Sequence, residues 1–205
     1  MERSLIPIVG IHGSGKSRLG EQTAKKLSSE YSIEHISMGR VIRRIAGGAI
    51  SSYFADVIKK HMLNQPHELI EDAIIHGILS ETLDAYHDTQ HLLIDGVPRT
   101  KAQAEDVDIL AFQDDRRIAG ILMTIISDEI AINRMLKRGP RGEYESDLSK
   151  YTAREKIETD KEYFKDMHLR SYFSEVPFVE IDTSGEKTDT VAQGVRTIQT
   201  LIIGD

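Results

Sequence analysis

Short apolar runs alternate with longer segments of helical periodicity along the chain. Four runs lack the polar alternation of a half-buried strand, and they occupy residues 5–9, 92–94, 118–126 and 178–181. A fifth and weaker run covers residues 33–37. Strands lose that alternation when helices cover both faces of a sheet, as happens in parallel sheets. The pattern therefore predicts five buried, parallel strands.

The segments between these runs carry apolar residues at the three- and four-residue spacing of helices. Two of them are marked by Leu69, Ala73, Ile74, Gly77, Ile78 and Leu83, and by Val191, Val195, Ile198 and Ile202. Gly47 and Gly48 divide another helical region into residues 38–46 and 51–62, and residues 64–66 end it. Strands alternating with helices predict an α/β fold, which binds ligands at the carboxyl ends of its strands.

The length and composition describe one globular domain. The chain has 205 residues, of which 40% are hydrophobic and 29% charged, so it can bury a core without cross-links. It has no cysteine. That absence excludes a disulfide scaffold, a cysteine-based zinc or iron–sulfur site, and a thiol nucleophile.

The net charge is unfavourable for binding to nucleic acids or membranes. With 33 acidic and 26 basic residues the chain carries a formal charge of −7, which repels phosphate polymers and anionic lipid surfaces. No apolar run approaches the roughly 20 residues that span a bilayer, and the N-terminus lacks the pattern of a secretory signal. We expect a cytoplasmic monomer whose partners are small molecules, and an anionic ligand would need a local basic site.

Residues 10–17, GIHGSGKS, match the phosphate-binding pattern GxxxxGK followed by serine, between a predicted strand and a predicted helix. Gly10, Gly13 and Gly15 allow the backbone N–H groups to turn inward toward a polyphosphate. Lys16 is placed to meet the β and γ oxygens, and Ser17 to bind Mg²⁺. The alternative is a glycine-rich turn without a ligand.

His12 lies inside this segment. A lone histidine has no defined role without a partner, so the simplest interpretation is a side chain that faces solvent at the shoulder of the loop.

A second candidate site follows the third predicted strand. Residues 92–100, LLIDGVPRT, place a carboxylate at the strand end and an arginine shortly after it. Asp95 can hold water on Mg²⁺ beside the loop, and Arg99 can fork onto a second phosphate. Two other interpretations remain open, Asp95 as a helix N-cap and Arg99 as a surface charge, although Thr100 is better placed for the cap.

The sequence resembles the adenylate kinase family of nucleoside monophosphate kinases over nearly its whole length. DGVPRT is similar to the family's DGFPRT, and residues 36–43, ISMGRVIR, are similar to its ISTGDMLR. Asp128-Glu129 followed by Arg134 and Arg138 resembles a further family pattern, and residues 182–185 resemble a loop near the donor base. The resemblance implies a three-layer P-loop NTPase fold with a five-stranded parallel sheet, and the cofactors ATP and Mg²⁺.

The resemblance also implies a role for each candidate residue. Transfer would be carried by Lys16, Arg99, Arg134 and Arg138. Donor nucleotide would be bound by Gly10, Gly13, Ser14, Gly15, Lys16, Ser17, Arg18 and Arg134. Acceptor nucleotide would be bound by Ser37, Met38, Gly39, Arg43, Gly96, Arg99 and Gln103, with Gln103 reading the base. Mg²⁺ would be held by Ser17 and Asp95. Without the family, Arg134 and Arg138 would equally suit a solvated helix face beside Asp128 and Glu129.

Departures from the family pattern occur in three segments. In the glycine-rich segment, His12 stands where the family usually has proline, and Ser17-Arg18 stand where it usually has Gly-Thr. Residues 38–66 are the predicted acceptor-binding insertion, in which Met38 replaces a threonine and Arg40 an aspartate. Residues 138–150 are the predicted lid, which is short and lacks the family's RxDD. Its completing cation is Arg141, Arg154 or Lys156. Among the alternatives, AMP is the favoured acceptor, another monophosphate is second, and a nucleotide-binding protein with degenerate transfer activity is third.

Overall fold

The computed structural model describes residues 2–64, 68–139, 149–167 and 169–203. Strands are β1 (Ser4–Val9), β2 (Ile33–Ser37), β3 (His91–Asp95), β4 (Arg117–Ile118), β5 (Ile121–Ile125) and β6 (Phe178–Asp182). Helices are α1 (Lys16–Leu27), α2 (Met38–Ala46), α3 (Ala55–Asn64), α4 (Asp72–Ala85), α5 (Lys101–Gln113), α6 (Asp128–Arg138), α7 (Lys150–Met167), α8 (Leu169–Tyr172) and α9 (Lys187–Ile203). None of the described helices is both long and apolar enough to cross a membrane.

The strands form one parallel sheet in the order β2-β3-β1-β5-β6, with the short β4 paired to β1. The predicted parallel α/β architecture is confirmed. Asp95 of β3 lies in register with Ser37 of β2 and with Ile8 of β1. On the other side, Ile125 of β5 pairs with Asp182 of β6. The carboxyl ends of the strands therefore meet at one edge of the sheet, where ligands bind in such folds.

Helices cover both faces of the sheet, which explains the uninterrupted apolar character of the strands. Successive side chains of a strand point to opposite faces. Leu5 of β1 packs into a cluster with α2, α3, α4 and α5, whereas Ile6 and Ile8 pack into a second cluster with α1 and α9. A third cluster joins the end of β1 to α5 and α8. The fold thus has the three layers that the resemblance implied.

Two predicted elements differ from the structure. The run at residues 118–126 is divided into β4 and β5 at Ala119 and Gly120, because the backbone N–H of Ala119 bonds Leu5 of β1 whereas that of Ile121 bonds the Pro177 carbonyl just before β6. The second half of the helical region begins at Ala55 rather than at residue 51, since the Ser52 hydroxyl accepts a bond from the backbone N–H of Phe54 and holds a turn there. The first half, residues 38–46, is confirmed as α2.

The predicted insertion corresponds to α2 and α3, and the predicted lid to the segment between α6 and α7. α2 and α3 form a helical pair that is joined through Gly47 and Gly48, within the predicted insertion at residues 38–66. α6 ends at Arg138 and α7 begins at Lys150. The predicted lid at residues 138–150 falls mostly on residues 140–148, which lie outside the described residues. Both assignments stay predictions.

His91 is a buried titratable group in the sheet. Its Nδ1 lies 2.7 Å from the Ser4 hydroxyl. Burial, with the nearby charges of Arg116 and Arg117, lowers the pKa of His91 to about 4. The unfolded chain takes up this proton near the ordinary pKa of 6.5. Between these values the unfolded state therefore binds more protons than the folded state, so stability falls as the pH is lowered from about 6.5 to about 4.

We expect His91→Gln to flatten that pH dependence. The free energy of unfolding is measured by urea denaturation at several pH values across this window. In His91→Gln its slope against pH should be smaller, by at most the slope that the uptake of one proton on unfolding produces. The exposed His87 provides the control, because His87→Gln should leave the slope as it is in the unmodified protein. An unchanged slope in His91→Gln would show that His91 does not titrate as its burial requires.

Candidate active site

The glycine-rich segment after β1 forms a tight loop that only glycine can build at two positions. Gly10 has a φ of 144°, and a Cβ there would lie 2.2 Å from the Thr124 hydroxyl. Gly13 has a φ of 80°, and a Cβ there would lie 2.5 Å from the carbonyl oxygen of Ala131 on α6. The glycines therefore serve both the left-handed backbone and the close packing of β5 and α6 around the loop.

The polar side chains of the loop are distributed between the core and the loop surface. Ser14 is buried, and its hydroxyl lies 2.7 Å from that of Thr124. The Lys16 ammonium donates to the carbonyls of Gly10 at 2.5 Å and Ile11 at 2.8 Å, so its charge lies at the start of the loop. Arg18, predicted to bind donor nucleotide, is exposed in the first turn of α1. Lys16 is thus beside the loop as predicted, while Arg18 faces outward.

Asp95 is a buried carboxylate at the end of β3, and the side chains of His35 and Ser37 hydrogen-bond to it. His35 Nε2 lies 2.8 Å from its Oδ2, and the Ser37 hydroxyl donates to its Oδ1 at 3.1 Å. Burial by itself raises the pKa of Asp95, but the hydrogen bond and attraction of His35, the charge of Lys16 and the bond from Ser17 outweigh it and hold this pKa below its usual value. Asp95 is therefore an ionised carboxylate, and Ser17 is among the groups that stabilise its charge.

This oxygen pair suits Mg²⁺. Mg²⁺ prefers hard oxygen ligands and usually keeps several waters and phosphate oxygens beside one or two protein groups. Ser17 and Asp95 supply such groups next to the loop. Among the described residues, no cluster of three or more metal-ligating side chains forms a cage. The chemistry of the donor set therefore fits a cation that is shared with a phosphate ligand.

Arg99 is held at the same edge of the sheet and does not point into bulk solvent. Its side chain is 24% exposed; Nε donates to the Gly96 carbonyl at 3.2 Å, and Nη1 donates to Asp160 Oδ1 at 3.4 Å. Thr100 caps α5 by accepting from the backbone N–H of Gln103. The alternative interpretations of Arg99 as a surface charge and of Asp95 as a cap are therefore wrong.

The expectation that His12 is a solvent-facing side chain without a partner is wrong, because the structure pairs it with Asp160. Its side chain is 30% exposed and its Nδ1 lies 2.7 Å from Asp160 Oδ2, which also accepts a bond from the His12 backbone N–H at 2.5 Å. Burial and the charges of Arg99 and Lys16 lower the pKa of His12 to about 4, against the opposing effect of Asp160. The imidazole is neutral near pH 7 and donates from Nδ1 to the carboxylate.

On the side of the loop formed by α6, Arg134 meets the turn after β6. Its Nη2 donates to the Thr183 carbonyl at 2.6 Å, and its guanidinium lies beside Gly15. The Thr183 hydroxyl donates to the Ser14 carbonyl at 2.7 Å. Three segments that are distant in the chain therefore converge beside the loop, and the donor-binding role of Arg134 stays a prediction.

Arg138 is exposed at the end of α6, where its Nε bonds the adjacent Gly139 carbonyl at 3.4 Å. The described contacts do not bring it to the loop. Arg141 lies outside the described residues. Helical spacing places Lys156 one turn before Asp160 on the same face of α7, and places Arg154 on a different face, where it is exposed. Of the described lid candidates, Lys156 is therefore the one that shares a face of α7 with Asp160.

The residues predicted to bind acceptor nucleotide divide into two groups. The Arg43 guanidinium lies against Gly39, at the start of α2, and both are partly exposed near the strand edge. Met38 is 1% exposed and packs in the core, close to Gly96. Its side chain packs in the core at the turn from β2 to α2, so it does not line an open pocket in this structure.

Gln103 is also buried, with 3% exposure, and its amide is engaged at both ends. Its Oε1 accepts from the Arg99 backbone N–H at 2.8 Å, and its Nε2 donates to Asp72 Oδ1 at 2.9 Å. Asp72, at the start of α4, has no sequence signal that would have singled it out. The amide orientation is therefore fixed, and only its second N–H and its second lone pair can serve a ligand.

Comparison with known proteins agrees with this geometry. The sequence profile described as Adenylate kinase matches residues 8–200. The chain belongs to the adenylate kinase family. It is a nucleoside monophosphate kinase. Phosphate binding by the glycine-rich loop and by Arg99 stays a prediction.

Two relatives show the range of similarity. An adenylate kinase of Phocaeicola vulgatus is 33% identical over 135 residues, covering 65% of this chain and 67% of that protein. An adenylate kinase of Campylobacter fetus is 26% identical over 203 residues, covering 98% of this chain and 93% of that protein. The similarity to this second relative thus extends over nearly the whole fold.

Proposed function

We propose that this kinase transfers the γ-phosphoryl group of ATP reversibly to AMP in the presence of Mg²⁺, producing two molecules of ADP. The donor would lie on the loop at residues 10–17, with Arg134 near its base. The acceptor would lie between Arg43 and Arg99. The names of the relatives and the family pattern in DGVPRT support this choice of acceptor.

The observation that carries the proposal is the closeness of the two phosphate-binding groups. One carboxylate, Asp160, contacts His12 of the loop through one oxygen and the Arg99 guanidinium through the other. The loop and Arg99 are therefore separated by a single side chain. Two nucleotides bound there would present their terminal phosphates to each other, as direct transfer requires.

Phosphoryl transfer asks the protein mainly for alignment and for stabilisation of negative charge. Lys16 would turn its ammonium from the loop carbonyls to the transferring group, while the loop N–H groups hold the remaining phosphates. Arg99 would orient the acceptor phosphate, whose own charge makes a general base unnecessary. Mg²⁺, held through Ser17 and Asp95, would supply neutralisation of phosphate charge.

The main alternative is a different monophosphate acceptor, and the acceptor side of the site gives a reason to consider it. Met38 is buried and the Gln103 amide is bonded to Asp72 and Arg99, so base recognition relies on few remaining polar groups.

One assay separates these possibilities. Purified protein is mixed with Mg-ATP and, separately, AMP, CMP, UMP, GMP or dTMP, and diphosphate formation is followed by chromatography. We expect the highest kcat/KM with AMP. A preference for another monophosphate would change the acceptor, and ATP hydrolysis that is independent of every acceptor would contradict the transfer reaction.

A further inference from the structure

Asp160 is a buried acid in an otherwise highly charged and exposed stretch of α7. Its side chain is 4% exposed, whereas the neighbouring Lys161 and Glu162 are exposed to solvent. Both carboxylate oxygens are used. Oδ2 accepts from the backbone and the imidazole of His12, and Oδ1 faces the Arg99 guanidinium.

The charge state of this group follows from its surroundings. Burial raises the pKa of Asp160, but the hydrogen bond and attraction of His12, with the charges of Arg99 and Lys16, outweigh it and keep this pKa below its usual value. A buried carboxylate without such partners would be costly. Asp160 is therefore ionised, and it lies among the cationic groups of the site.

The two contacts belong to different halves of the site. The His12 backbone N–H precedes the loop residues that face a polyphosphate, so the bond from it to Asp160 restrains the path of the loop. Arg99 leaves β3 on the acceptor side, and its bond to Asp160 restrains the direction of the guanidinium. A single side chain thus links the donor loop directly to the acceptor arginine.

We propose that Asp160 is a positioning residue for phosphoryl transfer, acting through His12 on the donor phosphates and through Arg99 on the acceptor phosphate. The proposal rests on the proposed function for its catalytic part. Misplacement of reacting groups by about 1 Å can cost about 100-fold in rate, so loss of this link should be visible in turnover.

The first test is Asp160→Asn, which keeps the shape and removes the charge. We expect kcat to fall by about 10- to 100-fold. The dissociation constants of ATP and AMP, measured separately by isothermal titration calorimetry, should both rise. His12→Ala should weaken ATP binding and leave AMP binding unchanged, because His12 belongs to the donor loop and bonds the Asp160 oxygen that does not face Arg99. Glu162→Gln on the same helix is the matched control and should behave as the unmodified protein does.

Several results would overturn the proposal. One is an Asp160→Asn protein with unchanged kcat and unchanged affinity for both nucleotides. Another is a loss of rate that disappears when the assay is run far below the melting temperature, since that loss would reflect stability alone. An equal effect of His12→Ala on ATP and AMP binding would also count against separate donor and acceptor contacts.

A double-mutant cycle tests the link without altering Asp160, and it decides the matter if Asp160→Asn does not fold. His12→Ala and Arg99→Lys should be non-additive in kcat/KM by at least about threefold, because both act through one carboxylate. Additive effects would contradict the proposal. If the unmodified protein forms no ADP from ATP and AMP, the proposed function fails, whereas the binding measurements still report on Asp160.

Discussion

Replacing Lys16 with alanine is expected to lower kcat for phosphoryl transfer by at least about 100-fold, the scale of losing one preorganised charge at a developing negative charge. The ammonium already lies at the loop, where it bonds the carbonyls of Gly10 and Ile11. Alanine removes this charge, and no other lysine lies in the loop segment at residues 10–17. Initial rates at saturating Mg-ATP and AMP measure the effect.

Lys25→Ala is the matched control, since Lys25 is exposed near the end of the same helix, α1. It should retain the unmodified rate. Thermal melting of both variants by circular dichroism establishes that they remain folded. If the Lys16→Ala protein turned over at the rate of the unmodified protein, Lys16 and the loop that carries it would have no part in the reaction.

The second large effect is expected for Arg99→Ala, also with a loss of at least about 100-fold in kcat. Arg99 and Arg43 are the two arginines proposed to hold the acceptor. The guanidinium of Arg99 is already oriented by Gly96 and Asp160. Arg99→Lys should recover only part of the rate, because an ammonium keeps the charge but lacks the planar fork that grips a phosphate.

The Arg99 variants are compared with Arg196→Ala, which alters an exposed arginine on α9. Rates are measured over a range of AMP at saturating ATP, so that kcat and the KM for AMP are separated. Removal of Arg99 should raise the KM for AMP as well as lowering kcat. An effect confined to the KM for ATP would contradict its place on the acceptor side.

The fold was largely predictable from the sequence because its signals are local. A buried parallel strand and an amphipathic helix each show their pattern within a short window, and the predicted strand at residues 33–37 and helix at 38–46 coincide with β2 and α2. The interruption between β4 and β5 was not predictable in this way, since it depends on backbone bonds to Leu5 and to Pro177, both distant in the chain.

The site was predictable only where a motif carried it. The glycine-rich segment and DGVPRT mark the loop and Arg99, but the partners that hold them have no motif. Asp160 lies in a segment rich in both charges, where a carboxylate is typical of a solvated helix face. Its contact with His12 spans 148 residues. The bond from Gln103 to Asp72 could not be predicted from the sequence either, because no motif marks Asp72.

The long-range contacts of the loop at residues 10–17 also bear on when this loop can fold during synthesis. The loop leaves the ribosome early, but its contacts with Thr124, Asp160 and Thr183 span 110, 148 and 169 residues respectively. A nascent chain that has produced only the first three strands carries the complete glycine-rich segment without any of these supports. We therefore expect affinity for nucleotide to be acquired late in translation, when the turn after β6 has emerged from the exit tunnel.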